Sequence, residues 1–520
     1  MLKAVRNLNP KYKRYSPICS HIQDIIHETL ENPVKIPNYM GTHDDIIKTQ
    51  RSSYNIKKNI CEYNLVDNNG INNYFNNYKK SKSVWEKYSF NDKKDIFLKT
   101  ADLIENKYYD KMLAYTILGQ NKTIYEAEID AICELVDFLR FNVYYAEEIM
   151  KKQPIQTRDI MNISEYNSLN GFVASITPFN FTAIGGNLAS APLLFGNSVL
   201  WKPSDNAMLS NHLFYEIMIE AGLPEGVLNF CPMEPNMFLQ RVTDQPDLSL
   251  ALFTGSSNVL DKIYYNIGKN ISQYNNYPRI VRESGGKNYH FIGPYNDKVL
   301  RNLIDAVLKT VHSSFDYSGQ KCSACSIVYV PEKYLESFIK KVKGAVLTYN
   351  KIKSNYGVIN NKSFEKLKSI INHLKDEEEI EFICDGDITT ENNSYYVGPH
   401  VLLCRDHNKI IFDKEFFGPI LAIYPYKDLD DAMDKCLNTN NYALTGAIFS
   451  DDETFIEKAT REMAPKTGNF YINDKSTGSV VGQQPFGGSG KSGTNDKAGD
   501  MNLLYRMFNQ RNIKVLKKSY

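Results

Sequence analysis

Three separated stretches of the sequence each place one reactive side chain among small residues and glycines. They are TPFNFT around Asn180, ESGGKN beginning at Glu283, and GQKCS around Cys322. A cysteine can attack a carbonyl carbon, a glutamate can act as a general base, and an amide can stabilise an oxyanion. Each residue alone also fits an ordinary role, as a turn asparagine, a surface glutamate or a buried cysteine.

The spacing of Cys322 and Cys325 matches C-x-x-C, which suggests other chemistry. A redox pair and half of a zinc site are the alternatives. Cys384 and Cys404 do not supply the second pair that a zinc site needs. The two cysteines therefore require another explanation, and no metal is expected.

A second motif, the stretch from Gly488 to Gly493, matches G-x-G-x-x-G. This pattern binds a dinucleotide only between a strand and a helix. Here it follows Pro485 and Phe486 near the carboxyl end. We therefore reject it as a pyrophosphate loop.

From Gly171 onward, short apolar runs alternate with amphipathic stretches of helical length. The alternation predicts parallel strands joined by helices in doubly wound α/β sheets, with ligands at the carboxyl ends of the strands. A second α/β domain follows the first, and residues 151–169 are typical of a hairpin-like arm. The predicted strands are 171–176, 197–201, 227–230, 248–253, 326–330, 420–424, 446–449 and 469–472, with helices at 182–195, 206–221, 300–314 and 453–463.

Bulk properties exclude several classes of protein. The 520 residues suffice for two or three domains, and the net charge of +1 gives no electrostatic case for nucleic acid or an anionic membrane. No apolar run approaches the roughly 20 residues of a membrane span. Nine scattered cysteines indicate reduced thiols of an intracellular protein.

The first 23 residues are basic, and no acidic residue precedes Asp24. This pattern is typical of a mitochondrial presequence, although Pro10 and Pro17 weaken it. The alternative is a frayed basic terminus. The sequence therefore predicts the mitochondrial matrix, with the cytoplasm as the alternative.

The three reactive stretches together resemble the aldehyde dehydrogenase superfamily. The resemblance runs from about residue 97 to the carboxyl end, and further family motifs occur in the family order: WKPSD, EAGLP, FTGS, EFFGP and PFGG, beginning at Trp201, Glu220, Phe253, Glu415 and Pro485. It implies a Rossmann-like NAD-binding domain, a catalytic domain, and an oligomerisation arm with a tail that would join a homodimer or higher oligomer. The expected ranges are 1–150 and 170–282, then 283–490, then 151–169 and 491–520.

The resemblance also implies a mechanism for a small-molecule aldehyde. Cys322 would attack the aldehyde as a thiolate, and the Asn180 amide with the Cys322 backbone N–H would hold the oxyanion. Glu283 would activate the water that releases the acid. NAD would be the cofactor, since a carboxylate at Asp205 would bond ribose hydroxyls and repel a 2′-phosphate. The matched cofactor residues are Thr177, Lys202, Asp205, Gly255, Ser256, Ser257, Asn258, Val259, Glu415 and Phe417.

Longer motifs resemble the branch of this family that oxidises L-glutamate γ-semialdehyde to glutamate in proline breakdown. They are PFNFTAIGGNL from Pro178, GQKCSACS from Gly319 and GNFYINDKSTGS from Gly468. In that branch, hydroxyl and backbone donors hold the substrate carboxylate, aromatic rings line its methylenes, and a glutamate lies near its ammonium. The matching residues are Ser323, Gly478 and Ser479 for the carboxylate, Phe181 and Phe486 for the methylenes, and Glu134 for the ammonium.

The residue before Glu283 departs from the family pattern, which usually has smaller or apolar neighbours there. Arg282 could hold Glu283 in a nonproductive salt bridge, or it could lower the pKa of Glu283. A non-catalytic relative is a further alternative, but such a chain is expected to lose a reacting group. This chain retains all three.

Overall fold

Strands occur along the whole chain and build the framework. The computed structural model describes residues 5–40, 46–296, 299–353 and 356–517, so the expected ranges 1–23, 1–150, 283–490 and 491–520 lie partly outside the described residues. The strands are β1 (Val34–Ile36), β2 (Ile47–Arg51), β3 (Asn59–Asn64), β4 (Ile160–Asn167), β5 (Phe172–Ile176), β6 (Val199–Lys202), β7 (Leu228–Phe230), β8 (Leu248–Thr254), β9 (Arg279–Glu283), β10 (Asn288–Ile292), β11 (Cys325–Pro331), β12 (Ile380–Cys384), β13 (Ile388–Thr389), β14 (Tyr396–Val397), β15 (His400–Cys404), β16 (Ile420–Tyr426), β17 (Tyr442–Ala443), β18 (Thr445–Phe449), β19 (Asn469–Ile472), β20 (Ser489–Gly490) and β21 (Asn509–Leu516).

Helices connect and cover these strands. A π-helix (Ile129–Glu134) and several 3₁₀ turns, including Asp205–Ala207 and Asp316–Gly319, continue some of them. The α-helices are α1 (Ser20–Glu31), α2 (Asn68–Trp85), α3 (Phe90–Glu105), α4 (Tyr109–Gln120), α5 (Ile124–Glu128), α6 (Leu135–Met150), α7 (Thr182–Ser190), α8 (Met208–Ala221), α9 (Pro235–Thr243), α10 (Ser257–Lys269), α11 (Val299–Phe315), α12 (Leu335–Lys353), α13 (Asn361–Lys375), α14 (Ile410–Asp413), α15 (Leu429–Asn438), α16 (Glu453–Glu462) and α17 (Met501–Leu504).

The first large sheet is entirely parallel, in the order β7-β6-β5-β8-β9. Its central strands are buried on both faces, which is why they read as continuous apolar runs in the sequence. The carboxyl ends of its strands lie at one edge, where Thr177, Lys202, Gly255 and Glu283 are found.

The second large sheet has the order β12-β15-β16-β11-β10-β18-β19. Neighbouring strands within this sheet are parallel except at one edge, where β12 runs antiparallel to β15. The predicted α/β class with two parallel sheets is confirmed. The antiparallel edge strand β12 and the strands β10 and β15 were not predicted.

The arm differs from its prediction. Within residues 151–169 there is one strand, β4, rather than a hairpin. Its partner is the carboxyl-terminal β21, and the antiparallel register runs from Ile160 opposite Leu516 to Asn167 opposite Asn509. The hairpin prediction was wrong because the pairing partner lies more than 300 positions away, beyond the reach of local pattern.

The amino-terminal segment packs against the rest of the chain from residue 5 onward. The backbone N–H groups of Lys11 and Tyr12 donate to Glu128, at 2.6 and 2.8 Å. Asn7 bonds Asp137 at 2.7 Å. These contacts contradict the frayed-terminus alternative for the described part of residues 1–23.

Among the described helices, none is long and apolar enough to cross a membrane.

A buried ion pair forms between Lys122, on the loop before α5, and Asp130, on the π-helix. Both residues also bind the loop after β5. Lys122 Nζ lies 2.6 Å from Asp130 Oδ2, and both side chains are almost fully buried, at 2% and 1% exposure. Lys122 also donates to the Asn180 carbonyl, and Asp130 accepts the backbone N–H groups of Thr182 and Ala183. The pair therefore fixes the start of α7.

Replacing Lys122 by Met should lower the free energy of unfolding by about 3–5 kcal/mol, because the Asp130 charge stays buried without its cation. Urea unfolding measures the change. The matched control is Lys107→Met, which removes an exposed pair with Glu220 and should change the stability little, because water screens both charges. Equal effects of the two substitutions would contradict the assigned role of the buried pair.

Candidate active site

The turn after β5 presents Asn180. Thr177 directly follows β5, and its Oγ1 accepts a hydrogen bond of 2.9 Å from the indole of Trp201. The Asn180 side chain is buried and donates through Nδ2 to the Gln320 carbonyl at 3.1 Å. This bond joins the Asn180 turn to the segment that carries Cys322.

The segment before Cys322 has unusual backbone geometry. Tyr317, Ser318 and Gly319 follow one another in the left-handed region, with φ of 55°, 53° and 67°. A Cβ at Gly319 would lie 2.4 Å from the Gly418 carbonyl oxygen, so the position requires glycine. After the turn, Asn288 Nδ2 donates to the Cys322 carbonyl at 2.6 Å, which fixes the backbone of the cysteine.

The thiol of Cys322 and the carboxylate of Glu283 are in contact. Cys322 Sγ donates to Glu283 Oε1 at 3.2 Å. Burial raises the pKa of Glu283 to about 7. Burial and the neighbouring Glu283 carboxylate also raise the pKa of the Cys322 thiol well above its ordinary value. In the resting enzyme the proton therefore stays on Cys322 Sγ. Glu283, whose pKa is near neutrality, is the acceptor beside it.

Arg282 does not pair with Glu283. Successive residues of a strand point to opposite faces, and Arg282 points away from Glu283. Its guanidinium donates to the Gly490 carbonyl at 3.1 Å and lies 5.2 Å from the centre of the Tyr264 ring. The salt-bridge hypothesis for Arg282 was wrong because it ignored this alternation.

A second carboxylate, Glu415, faces the glycines after Glu283. It accepts the Gly286 N–H at 3.0 Å, and burial raises its pKa to about 7. A Cβ at Gly285 would lie 1.8 Å from Glu415 Oε2, so only glycine allows this approach. Phe417 follows with φ of 58° and packs edge-on against Phe179, with ring centres 6.0 Å apart.

The remaining predicted cofactor residues lie at the carboxyl edge of the first sheet. Lys202 is buried, donates to the Pro203 carbonyl and lies 3.8 Å from Asp205 Oδ1. Asp205 Oδ1 is buried and accepts no hydrogen bond from the described residues. The stretch 255–259 connects β8 to α10, and the Ser256 side chain does not cap that helix. A buried acceptor and an uncapped helix start thus lie along one edge.

The predicted substrate residues fall in five places. Ser323 follows Cys322, and the ring centre of Phe181 lies 4.3 Å from Lys122 Nζ. Glu134 ends the π-helix, where burial raises its pKa to about 8, with Asp130 and Glu283 contributing. Gly478 and Ser479 lie in the loop after β19, and Phe486 forms a bridge with Ala498 beyond that loop.

The two misleading motifs are explained by the structure. Cys325 is buried and donates to the Ile327 carbonyl, while Cys322 faces Glu283; both are free thiols. In the second motif, Ser489 and Gly490 form β20, which pairs with β17, and no helix starts within residues 488–493. Rejecting that motif as a pyrophosphate loop was therefore correct.

Comparison with known proteins identifies the family. Residues 48–513 match the aldehyde dehydrogenase family. The chain belongs to the aldehyde dehydrogenase family. It is 41% identical to a probable delta-1-pyrroline-5-carboxylate dehydrogenase of Schizosaccharomyces pombe, over 99% of this chain and 96% of that one. It is 39% identical to the mitochondrial delta-1-pyrroline-5-carboxylate dehydrogenase of Homo sapiens, over 91% of this chain and 84% of that one.

Solved structures agree with this assignment. The delta-pyrroline-5-carboxylate dehydrogenase of Mycobacterium tuberculosis bound with NAD superposes with a TM-score of 0.89 at 31% identity, covering 100% of this chain and 98% of that one. The Thermus 1-pyrroline-5-carboxylate dehydrogenase with bound NAD gives 0.87 at 25% identity, covering 98% and 100%. This aldehyde dehydrogenase therefore shares its fold along its whole length with enzymes of that name.

Some residues that shape the site of this aldehyde dehydrogenase were not predicted. Lys122 and Asp130 hold the Asn180 turn, and Lys497 lowers the pKa of Glu283 through its charge. Asp130 lies on the π-helix and Lys122 on the loop that precedes α5, and nothing in their local sequence marks them. Only the tertiary contacts reveal them.

Replacing Glu283 by Gln should lower the pKa of Cys322, because the carboxylate contributes to its rise. The thiolate fraction at a given alkaline pH should then grow, and alkylation by iodoacetamide should be faster than in the wild type. Peptide mass spectrometry of alkylated Cys322 measures the rate. Glu332→Gln, at a surface pair with Arg405, is the control. Slower alkylation in the Glu283→Gln variant would refute this electrostatic account.

Proposed function

We propose that this aldehyde dehydrogenase oxidises L-glutamate γ-semialdehyde, the open form of Δ1-pyrroline-5-carboxylate, to L-glutamate with NAD, in proline breakdown. The observation that carries the proposal is the full-length similarity to chains named for this reaction, at 41% identity over 99% of the chain. The 3.2 Å contact between Cys322 and Glu283 supports the reaction class.

In the first step Cys322 Sγ bonds to the aldehyde carbon. Because the thiol pKa is raised, few molecules hold a free thiolate, and attack must be coupled to loss of the proton. Glu283, with its pKa of about 7, is the acceptor within reach. The product is a thiohemiacetal on Cys322.

The carbonyl oxygen becomes an oxyanion as sulfur attacks. The donors proposed for it are the Asn180 amide and the Cys322 backbone N–H. Asn180 is held from two sides, by Lys122 on its carbonyl and by the Gln320 carbonyl on its amide, so its donor is oriented in advance. Loss of one such donor typically costs about 10²–10³ in rate.

The carboxyl edge of the first sheet fits NAD. The buried Asp205 oxygen that accepts no hydrogen bond from the described residues and the buried Lys202 suit ribose hydroxyls, and the start of α10 suits the pyrophosphate. Glu415 and Phe417 would hold the nicotinamide half. Bound there, NAD would supply the acceptor for the hydride that leaves the substrate carbon, and Cys322 would carry the resulting thioester.

Release of the acid requires a base. After the thiol proton has passed from Glu283 to solvent, Glu283 takes a proton from water and the hydroxide oxygen bonds to the thioester carbon. Cys322 leaves as the thiolate and recovers its proton from Glu283. The step requires ionised Glu283, so turnover should rise as pH rises through about 7. A general base typically contributes about 10²–10⁴ in rate.

Selection of a substrate with a carboxylate and an ammonium is proposed for the loop of Gly478 and Ser479, together with Ser323. Phe181 and Phe486 would pack on the methylenes. The Glu283 charge contributes to the raised pKa of Glu134, so the two side chains are near each other. We place Glu134 near the ammonium.

Two further properties are part of the proposal. The β4–β21 ladder has exposed apolar residues, including Met161 and Leu516, and would join two copies in a homodimer or a larger assembly. The relatives from Dictyostelium discoideum, Mus musculus and Homo sapiens carry mitochondrial names, which favours the mitochondrial matrix over the cytoplasm.

Purified enzyme with NAD and Δ1-pyrroline-5-carboxylate should form NADH, followed by absorbance. Cys322→Ser should abolish the signal, whereas Cys325→Ser should retain it, because Cys325 is buried behind the site. Rapid turnover of simple aliphatic aldehydes without turnover of Δ1-pyrroline-5-carboxylate would contradict the substrate assignment. Folded enzyme that binds no NAD in calorimetry would instead favour a non-catalytic relative.

Replacing Asp205 by Asn should weaken discrimination against NADP. The carboxylate that repels a 2′-phosphate is removed, while Lys48, whose Nζ lies 3.5 Å from Asp205 Oδ2, and Lys202 remain as cations. The ratio of kcat/KM for NAD to that for NADP should fall about tenfold or more, since about 1.4 kcal/mol corresponds to a factor of ten. Glu234→Gln is the control, and an unchanged ratio in the Asp205→Asn variant would refute the role.

A further inference from the structure

Residues 7–14, here named the N-terminal clasp, supply donors to two buried carboxylates. Glu128, at 1% exposure, accepts the N–H groups of Lys11 and Tyr12. Asp137, at 3% exposure, accepts the N–H of Leu8 at 2.9 Å and the amide of Asn7. Burying a carboxylate without such donors costs free energy, so the clasp stabilises the carboxylates that α5 and α6 bury.

One end of the clasp binds the loop proposed to hold the substrate carboxylate. Asn7 Nδ2 donates to the Val481 carbonyl at 2.8 Å, and Gln483 Nε2 donates to Asn7 Oδ1 at 2.8 Å. Val481 lies two residues after Ser479. The clasp therefore contacts that loop through both halves of one amide.

The other end binds the segment before Cys322. The Arg14 guanidinium pairs with Asp316 and lies 3.2 Å from His312 Nδ1. Asp316 has 7% side-chain exposure and directly precedes the left-handed residues Tyr317 and Ser318. Non-glycine residues in that region cost on the order of 1–3 kcal/mol each and persist only where neighbours hold them.

The holding contacts come from two directions. Glu126 Oε1 accepts the Tyr317 N–H at 3.0 Å, and Arg14 fixes the preceding carboxylate. Asn180 then bonds Gln320, two residues before the nucleophile. Releasing Asp316 would loosen the turn at its first residue, and the sulfur would move relative to Glu283.

We propose that the N-terminal clasp is retained in the working enzyme and that Arg14 is a positioning residue for Cys322, acting through Asp316. Removal of residues 1–23 as a presequence would take away the donors to Glu128 and Asp137 as well as this pair. The inference rests on the proposed function only for its turnover measurement.

Arg14→Gln in the full-length chain tests the pair, with the exposed neighbour Lys13→Gln as the matched control. In the Arg14→Gln variant kcat should fall about tenfold to a hundredfold, the scale of a small misplacement of a reacting group. Alkylation of Cys322 should become faster, because the sulfur moves away from the carboxylate that raises its pKa. The Lys13→Gln variant should match the wild type. Asp316→Asn should give the same loss, and the double variant should lose no more, because the two residues act in series.

A folded Arg14→Gln variant with both rates within about twofold of the wild type would overturn the proposal. If that variant does not fold, the same criterion applies to Asp316→Asn. Alkylation needs no substrate. If the wild-type enzyme fails to oxidise the semialdehyde but Arg14→Gln still changes the alkylation rate of Cys322, the result rejects the proposed function and leaves the clasp proposal standing. Intact mass of the enzyme from the cells that make it should include Asn7, and a mature chain beginning after Arg14 would also overturn the proposal.

Discussion

The structure depends on bringing a thiol and a carboxylate from two different sheets into one contact. Glu283 ends β9 of the first sheet, and Cys322 precedes β11 of the second, yet Cys322 Sγ and Glu283 Oε1 lie 3.2 Å apart. This approach leaves little room, so glycines occur where backbones and side chains meet, as at Gly285 against Glu415. The same closeness excludes water, which is why the carboxylates there have raised pKa values.

Burial therefore sets the chemistry of the site more than any single charge. The pKa of Glu283 and of Glu415 is raised to about 7, and that of Glu134 to about 8, each with burial as the largest cause. A carboxyl group whose pKa lies near neutrality gains or loses a proton at little cost near pH 7, as a general base must.

Sequence patterns predicted the parts of the molecule whose cause is local. Strands such as β5 and β8 are buried on both faces and appear as apolar runs, and β19 has the predicted bounds 469–472. The pairing of β4 with β21 leaves no local pattern in the sequence, so the prediction for residues 151–169 was wrong. The Lys122–Asp130 pair leaves none either, and it was not predicted. The motifs predicted that Cys322, Glu283 and Asn180 belong to one site, and the structure brings them together. The residues that hold them were not predicted.

The N-terminal clasp also bears on the order of events during synthesis. Arg14 and its partner Asp316 are 302 positions apart in the chain. At the usual rate of roughly 5–20 residues per second, Asp316 is made about 15–60 s after Arg14. Arg14 must therefore wait for this partner until residue 316 has been made, whereas the clasp donors to Glu128 and Asp137 find their acceptors earlier.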